Sequence, residues 1–394
     1  MVHITVRVLQ ILSILGCISS FSYYLLCLWG ARAFLRVHED RESASSTQSL
    51  PSISILKPLK GIDPEIYESF RSHCMQDYAA EYEIIFGVSD ANDPAVSSVE
   101  QLQREFPQRV IRLVVCPKLL GANIKVSNLE QMLTASRYEC ILVNDSDIRV
   151  GRDYLHCVFA PLTNHDVGMV TCLYRGVASP TLGSRLESLG ISTDFCAGVL
   201  AARQLEGGLR FGLGSTLAFR RRDLERIGGF QSIVNYLADD YELGRRIAGL
   251  GLKVVLSSIV VETHLPAYDL SGFFAHQMRW ARGVRDARLG GYIGLASTFG
   301  LFWALLNLLV LSEAAWTLEL FAAMAVARFA VAIVVGRSVL TDRQVLKHLW
   351  MLPVRDLIAV GIWLVSFAGH TVTWRGDRFR LKNGRLIRIG NGER

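Results

Sequence analysis

Hydrophobic residues dominate both ends of this chain, whereas the middle alternates short apolar runs with polar segments. Residues 8–31 carry no charge and are flanked by Arg7 and Arg32. About 20 apolar residues suffice to cross a bilayer as a helix, and this run continues too far for the core of a cleaved signal peptide. We therefore expect an N-terminal transmembrane anchor over 8–31, with its basic C-terminal flank on the cytoplasmic side.

The middle of the chain predicts one folded domain over 51–290, preceded by a polar, Ser-rich linker at 32–50. Strands and helices alternate in it, which indicates a parallel α/β sheet whose ligand crevice lies at the carboxyl ends of the strands. Strands are expected at 53–56, 82–88, 110–115, 140–143, 167–173 and 253–261, and helices at 65–77, 93–106, 125–136, 152–160 and 239–250.

The C-terminal third is again apolar, and 292–370 predicts a transmembrane hairpin followed by a further hydrophobic segment. That last segment, 349–369, contains Pro353, Arg355 and Asp356, so it either spans imperfectly or is re-entrant. Residues 371–394 predict a basic tail. The positive-inside preference keeps this tail cytoplasmic, but three spans after a cytosolic domain place it outside, and both alternatives stay open.

Residues 182–205 are only moderately apolar, because Glu187 and Asp194 interrupt them. We expect an amphipathic helix at the membrane surface there rather than a span.

Composition supports a membrane protein: 51% of the residues are hydrophobic and 20% are charged. The net charge of +6 comes from dispersed Lys and Arg, which excludes a nucleic-acid footprint and favours anionic lipid or phosphorylated substrates. Eight Cys without a C-x-x-C pair give no metal spacing and indicate a reduced, cytosol-facing domain.

A pair of carboxylates follows the apolar strand 140–143, namely Asp145 and Asp147. Two carboxylates at this spacing can share Mg²⁺, which takes one or two protein carboxylates together with substrate phosphate oxygens. Such a pair alone is a weak signal, because most are solvated turn residues. Further polar side chains at or just beyond strand ends strengthen the interpretation, namely Lys60, Asp93 and Lys125.

Other segments carry chemistry that has an ordinary structural alternative. The glycine-rich stretch 207–219 permits close approach to a ligand or forms a tight hairpin. Asp240 heads a predicted helix and either acts chemically or caps it. Arg279 favours phosphate contacts, and Trp280 offers an aromatic surface or a membrane anchor.

Taken together and in order, these motifs resemble the ceramide glucosyltransferase family, to which bacterial glycosyltransferases of hopanoid-lipid pathways are similar. That family's signature is three Asp positions followed by a (Gln/Arg)-x-x-Arg-Trp motif. The resemblance rests on residues 55–61, 90–95, 125–129, 145–146, 239–241 and 279–280.

The resemblance implies a GT-A nucleotide-sugar-binding domain with a mixed, mainly parallel sheet. One N-terminal and two to three C-terminal transmembrane helices accompany it. It also implies a UDP-sugar donor and Mg²⁺ or Mn²⁺ at Asp145 and Asp147, with Asp240 as general base beside Arg279 and Trp280. The nucleotide-binding residues that it implies are Lys57, Lys60, Asp90, Asp93, Lys125, Asn128, His276 and Gln277.

Two positions depart from the family pattern. His276 stands where the family has Gln or Arg, with Gln277 one place later. Asp147 stands where the animal enzymes have Gly, so the second carboxylate is more similar to the bacterial relatives.

The implied reaction moves a hexose from UDP-glucose or another UDP-hexose to a lipid hydroxyl, with ceramide as first candidate, by metal-assisted inverting displacement. One alternative is a hopanoid or other glycolipid transferase that uses UDP-N-acetylglucosamine or UDP-galactose. A polysaccharide synthase and a non-catalytic membrane scaffold are others. The few C-terminal spans argue against the synthase, and the three aspartates argue against the scaffold. We expect an integral membrane protein with a cytoplasmic catalytic domain, in the inner membrane if the source is bacterial, and no nucleic-acid partner.

Overall fold

A computed structural model describes residues 2–42, 50–311, 314–374 and 376–389. Within them, eight strands form one sheet in the order β3-β2-β1-β4-β7-β6-β8-β5, and three more form a small antiparallel sheet near the C-terminus. The strands are β1 Ile53–Pro58, β2 Tyr82–Val88, β3 Val110–Val115, β4 Cys140–Val143, β5 Ile148–Arg149, β6 Val167–Val177, β7 Leu217–Arg220, β8 Lys253–His264, β9 Thr371–Trp374, β10 Asp377–Lys382 and β11 Arg385–Arg388.

Helices cover both faces of the large sheet and both ends of the chain. They are α1 Val2–Glu42, α2 Ile66–Cys74, α3 Val96–Glu105, α4 Ile124–Ala135, α5 Tyr154–Phe159, α6 Leu182–Gly190, α7 Cys196–Leu205, α8 Arg221–Arg226, α9 Asp239–Gly249, α10 Leu270–Ala287, α11 Leu289–Gly294, α12 Gly300–Val310, α13 Ala315–Ile333, α14 Gln344–His348 and α15 Leu352–Ser366. Short 3₁₀ segments lie at Ala160–Thr163, Phe230–Ile233, Leu295–Thr298 and Leu349–Met351, and π-helical segments at Ile191–Phe195 and Val334–Val339.

The expected mixed, mainly parallel sheet is confirmed. Strands β3, β2, β1 and β4 are parallel, with Ile55 of the fully buried β1 opposite Ile84 and Leu142. Strand β7 is antiparallel to both β4 and β6, and it pairs Leu217 with Val143. The loop before β7 therefore lies beside the carboxyl end of β4, which is the ligand edge of such a sheet.

The first helix is longer than the predicted anchor. Helix α1 continues to Glu42, so the predicted linker 32–50 is helical over 32–42, and residues 43–49 lie outside the described residues. Residues 32–42 contain neither Gly nor Pro and are rich in helix-forming Arg, Leu and Glu, so nothing in them ends the helix.

Three helices in the described residues are long and apolar enough to cross a membrane, namely Ile4–Val37, Ala315–Val339 and Gln344–Ser366. A fourth segment is a pair, Leu289–Thr298 and Gly300–Val310, bent by 55°. Residues 349–366 lie in the apolar run Gln344–Ser366, and whether that run crosses the membrane imperfectly stays a prediction. Pro353 does not break α15 because it occupies the first turn, where its missing N–H has no helical partner.

Much of the predicted basic tail is folded. In strands β9 to β11, Val372, Phe379, Leu381 and Leu386 are buried and the basic side chains are exposed. The tight turn at Asn383 and Gly384 has positive φ at both residues, as an Asn-Gly hairpin requires.

The helix predicted at 182–205 is present, although a π-helical segment divides it into α6 and α7. Both parts are largely buried rather than half-exposed. Gly30 of α1 lies against the backbone of Leu200, where a Cβ would be 2.7 Å from the carbonyl oxygen. Helix α7 thus packs against α1, and the position of α6 and α7 at a membrane surface stays a prediction.

Candidate functional site

The turn that carries Asp145 is held on two sides. The buried amide of Asn144 donates to the carbonyl of Ser215 at 2.6 Å, in the loop before β7. On the other side, the ammonium of Lys57 donates to the backbone carbonyl of Asp145 at 2.9 Å. The Asp145 side chain is 40% exposed, so the turn is fixed while its carboxylate stays accessible.

Lys57 itself has no solvent-exposed surface. Burial lowers the pKa of Lys57 to about 7, against the opposing charges of Asp147 and Asp145. Its ammonium therefore supports the Asp145 turn from β1.

The carboxylates of Asp145 and Asp240 converge over Gly214. A Cβ at this glycine would lie 3.3 Å from Oδ2 of Asp145 and 3.2 Å from Oδ2 of Asp240. The other Asp240 oxygen accepts the backbone N–H of Tyr241 at 2.7 Å. The antiparallel entry of β7 brings the glycine-rich loop here, and the absence of a side chain at Gly214 lets its backbone approach both carboxylates.

This convergence predicts a large effect of one methyl group. We expect Gly214→Ala to lower kcat/KM at least ~10-fold, because a 1 Å misplacement at a reacting centre can cost about 10²-fold. Gly214 does not have a positive φ, so the backbone accepts Ala and the thermal midpoint should change little. The matched control is Gly249→Ala at the end of α9, where a Cβ meets nothing within 4 Å. Equal activity of the two variants would contradict the arrangement.

Lys125 links Asp145 to a carboxylate that sequence reasoning treated only as a possible cap. Its ammonium lies 2.8 Å from Oδ1 of Asp145 and 3.1 Å from Oδ2 of Asp239. Burial opposes the charged form, but the two carboxylates outweigh it and raise the pKa of Lys125. The start of α4 and the start of α9 are thereby joined across the Asp145 turn.

Asp147 faces the end of β8. Its carboxylate accepts the hydroxyl of Thr263, and its carbonyl accepts the N–H of His264 at 3.3 Å. Burial, followed by the charge of Asp145, raises the pKa of Asp147 to about 6. Asp63, which sequence reasoning missed, accepts the hydroxyl of Ser146. Its signal was a carboxylate in the same loop as Lys60, beyond the end of β1.

These residues fit a divalent cation that arrives with a diphosphate. The described residues contain no cluster of three or more His, Cys, Asp or Glu side chains able to hold a metal alone. One or two carboxylates from Asp145 and Asp147, completed by phosphate oxygens and water, is the ligand set that Mg²⁺ tolerates. Oδ2 of Asp145, on the Gly214 side, is the oxygen that Lys125 does not hold.

Four of the residues that the resemblance assigns to the nucleotide lie at or near the ends of β1 and β2. The Asp93 carboxylate accepts the backbone N–H of Gly61 at 3.0 Å and that of Ala95 at 2.9 Å. Asp90 accepts the N–H of Asn92 at 2.9 Å, an Asx turn. The further members are Lys60, which is exposed in the Gly61 loop, and the buried Asn128, which accepts the Ser89 hydroxyl at 3.1 Å.

Aromatic side chains on and beside helix α10 pack together and form a wall. Trp280 packs edge-on against Phe195, with ring centroids 5.6 Å apart, and Phe195 packs on Tyr174. Tyr268 stacks on His276 at 5.3 Å. The pKa of Tyr268 is raised to about 12, chiefly by burial and secondly by the charge of Glu187. The charge of Asp147 also raises this pKa, and that of Arg279 lowers it.

His276 and Gln277, which the resemblance assigns to the nucleotide, contact the buried Glu187. Nδ1 of His276 lies 3.3 Å from Oε1 of the buried Glu187 on α6. The Gln277 amide donates to the other Glu187 oxygen at 2.8 Å and accepts from Arg355 of α15 at 3.1 Å. The two residues thus join α10 to α6 and α15, a link that spacing along the chain does not reveal.

Comparison with solved structures supports the fold. The chain superimposes on mannosyltransferase PcManGT from Pyrobaculum calidifontis, solved in complex with GDP-Man and Mn²⁺, with a TM-score of 0.53 and 19% identity. The match covers 91% of this chain and 99% of that one. The catalytic domain therefore has a GT-A-like glycosyltransferase fold.

Curated relatives agree in their names. Ceramide glucosyltransferase 3 of Caenorhabditis elegans is 26% identical over 277 residues, covering 70% of this chain and 59% of that protein. Ceramide glucosyltransferase 1 of the same organism is 22% identical over 404 aligned positions, which cover 96% of this chain and 82% of that protein. The ceramide glucosyltransferase of Komagataella phaffii is 30% identical over 146 residues, which cover 36% of this chain and 28% of that protein.

The family match extends over nearly the whole chain. Residues 12–387, from α1 to β11, match the family described as Glycosyl transferase family 21. The chain therefore belongs to glycosyl transferase family 21, and three of its described helices are long and apolar enough to cross a membrane.

Proposed function

We propose that this enzyme transfers glucose from UDP-glucose to the primary hydroxyl of ceramide, by a single inverting displacement assisted by Mg²⁺ or Mn²⁺. The observation that carries the proposal is the convergence of Asp145 and Asp240 over Gly214. Sequence likeness to ceramide glucosyltransferases supports the choice of donor and acceptor.

Asp240 is assigned as the general base. Its carboxylate takes the proton from the acceptor hydroxyl as the oxygen attacks the anomeric carbon, and UDP leaves on the opposite face. A single base without a positioned nucleophile on the other side gives one displacement and therefore a β-glycoside from an α-linked donor. The raised pKa of Asp240, about 6, makes it a stronger base than an exposed Asp.

The donor diphosphate is assigned to the Asp145 turn. Asp145 and Asp147 would hold the cation, which when bound supplies positive charge against the departing diphosphate oxygen. Arg279 lies on α10, in electrostatic range of Tyr268, and would meet the same phosphates. Asp93, Asp90, Lys60 and Asn128, at the ends of β1 and β2, are assigned to the nucleoside.

The acceptor lipid is assigned to the side of the site bounded by Trp280 and Phe195, where helix α10 adjoins the apolar helices. A lipid hydroxyl can reach Asp240 there while its chains stay among apolar side chains. The exposed Arg32 and Arg36 at the domain end of α1 support a cytoplasmic catalytic domain.

The test is a panel assay on membranes that contain the full chain. Labelled UDP-glucose, UDP-galactose and UDP-N-acetylglucosamine are each supplied with ceramide, diacylglycerol or a hopanoid, and the lipid product is identified by mass and anomeric configuration. β-Glucosylceramide is the expected product. Transfer from another sugar nucleotide or to a hopanoid would replace the assigned specificity, and an α-linked product would overturn the single displacement.

The pH profile tests the base. Burial and the neighbouring charge of Asp239 raise the pKa of Asp240 to about 6, while Lys125 opposes them. Because the base must be ionised, kcat/KM should be level above pH ~7 and fall about tenfold per unit well below pH 6. Asp239→Asn removes a charge that raises this pKa, so the acidic limb should move to lower pH. Burial and Asp145 are the main causes of the raised pKa of Asp147, so an unmoved limb would contradict Asp240 as the titrating base.

A further inference from the structure

Segment Gln344–Ser366 is long and apolar enough to cross a bilayer, yet it touches the catalytic domain at its beginning, middle and end. Such a helix of 23 residues is about 34 Å long, so a spanning orientation would carry one end some 30 Å from the domain.

The beginning of the segment is bonded to the end of β6 and to the helix after it. The Gln344 side chain accepts the backbone N–H of Ala178 at 3.2 Å. Two residues earlier, Asp342 accepts the hydroxyl of Ser192 at 2.7 Å. The chain therefore enters this helix at the level of the catalytic domain.

The middle and the end follow α10. Arg355 donates to Gln277 at 3.1 Å and to the carbonyl of Leu186 at 3.3 Å. Eight residues further along α10, Arg285 donates to the carbonyl of Ser366 and, at 2.9 Å, to that of Gly369. The two helices therefore run side by side in the same direction.

Helix α10 cannot lie in hydrocarbon along its length, because it carries Arg279, Arg282, Arg285 and Asp286 within eight residues. A helix that is bonded along α10 must lie at the same depth. The inward side of the segment packs Met351 and Leu352 against α6 and α10.

The outward side is apolar and open. Large side chains recur at helical spacing and are 46–73% exposed, namely Leu346, Trp350, Val354, Leu357 and Leu364. Arg343 and Lys347 are exposed at the start. An apolar stripe with Trp and flanking cations is the pattern of a helix that lies in the membrane interface.

We propose that Gln344–Ser366 is an interfacial helix that seats the catalytic domain on the bilayer surface, rather than a third long span. The crossings are then α1 and a hairpin that consists of the bent pair 289–310 and α13. In that hairpin, Asn307 bonds to Ser13 near the far end of α1, and Arg328 returns to Asp194 of the domain. This assignment goes beyond the proposed reaction and does not depend on it.

The location of the sheet β9–β11 agrees with this arrangement. Leu237 donates its N–H to the carbonyl of Gly384 at 3.1 Å, and Leu386 donates to that of Asn235 at 2.7 Å. The C-terminal sheet therefore lies on the same side of the membrane as Asp240, which settles the alternative that charge counting left open.

Depth measurement tests the proposal in the full chain, reconstituted in phospholipid nanodiscs. Single cysteines replace Leu346, Leu357 and Leu364, carry an environment-sensitive fluorophore, and are quenched by lipids with nitroxides at defined depths. All three should report the same shallow depth. Maximal quenching of Leu357→Cys at the bilayer centre, with the other two near opposite surfaces, would overturn the proposal. Leu318→Cys on α13, 62% exposed and ten residues from Arg328, is the control expected to lie deep. The parent chain, in which seven of the eight cysteines are buried, is the labelling blank.

Sidedness gives a second, independent readout. In sealed, oriented vesicles, a membrane-impermeant thiol reagent should label Ile387→Cys in β11 and Val110→Cys in β3 from the same side, since both positions are exposed. Labelling from opposite sides would overturn the proposal even if one depth variant failed to insert.

Discussion

Asp240→Asn is expected to lower kcat by roughly 10²- to 10⁴-fold, the range that a positioned general base contributes. The carboxamide oxygen can still accept the N–H of Tyr241, which lies 2.7 Å from the carboxylate. The start of α9 and its link to Lys125 through Asp239 are therefore retained. Binding of UDP-glucose, measured by calorimetry in detergent micelles, should change little.

The matched control for this variant is Asp166→Asn. The Asp166 side chain is 73% exposed and has only a 3.8 Å ion pair with Lys253, so transfer should be unaffected. Near-normal transfer by folded, membrane-inserted Asp240→Asn protein would remove Asp240 as the base. Loss of UDP-glucose binding together with turnover would instead place this carboxylate on the donor.

Arg328→Met is expected to cause the largest loss of stability. Arg328 lies on α13 with its side chain 4% exposed, and it makes two 2.8 Å bonds to Asp356 and an ion pair with Asp194. Removing one partner of a buried ion pair leaves an uncompensated charge and typically costs about 3–5 kcal/mol. The thermal midpoint in detergent should fall clearly.

A second variant separates lost charge pairing from lost packing. Arg328→Met with Asp356→Asn removes one stranded carboxylate and should recover part of the stability. Arg337→Met, at an exposed position further along the same helical stretch, should be nearly neutral. If Arg328→Met proved as stable as the parent chain, the cluster would not hold α13 and α15 on the domain.

The local pattern of the chain was enough to predict much of the site. Asp145, Lys125 and Asp240 each follow a recognisable strand or begin a predicted helix, and the ends of parallel strands share one edge. The sequence thus predicted that these residues lie near one another, but it did not give the distances between them. Asp239 and Asp63 were not identified, because a carboxylate at a helix start or in a turn is usually an ordinary cap or a solvated residue.

The C-terminal region was harder for a different reason. Strands β10 and β11 expose their basic side chains, so on composition alone the region is a basic tail. Only Val372, Phe379, Leu381 and Leu386 pack together, and they do so against residues that are distant in the chain, such as Leu237. Long-range packing of this kind has no local signature beyond the Asn-Gly turn.

By itself, the sequence determined the class of this protein: an α/β transferase domain between apolar ends, with aspartates at strand ends and an Arg-Trp pair after them. These properties depend on periodicity and residue type, which are local. Only the tertiary structure decided that Asp145 and Asp240 share the space above Gly214, that His276 and Gln277 contact Glu187, and that 344–366 follows α10. Hydropathy measures how apolar a helix is, whereas its depth and direction depend on the partners it bonds to along its length.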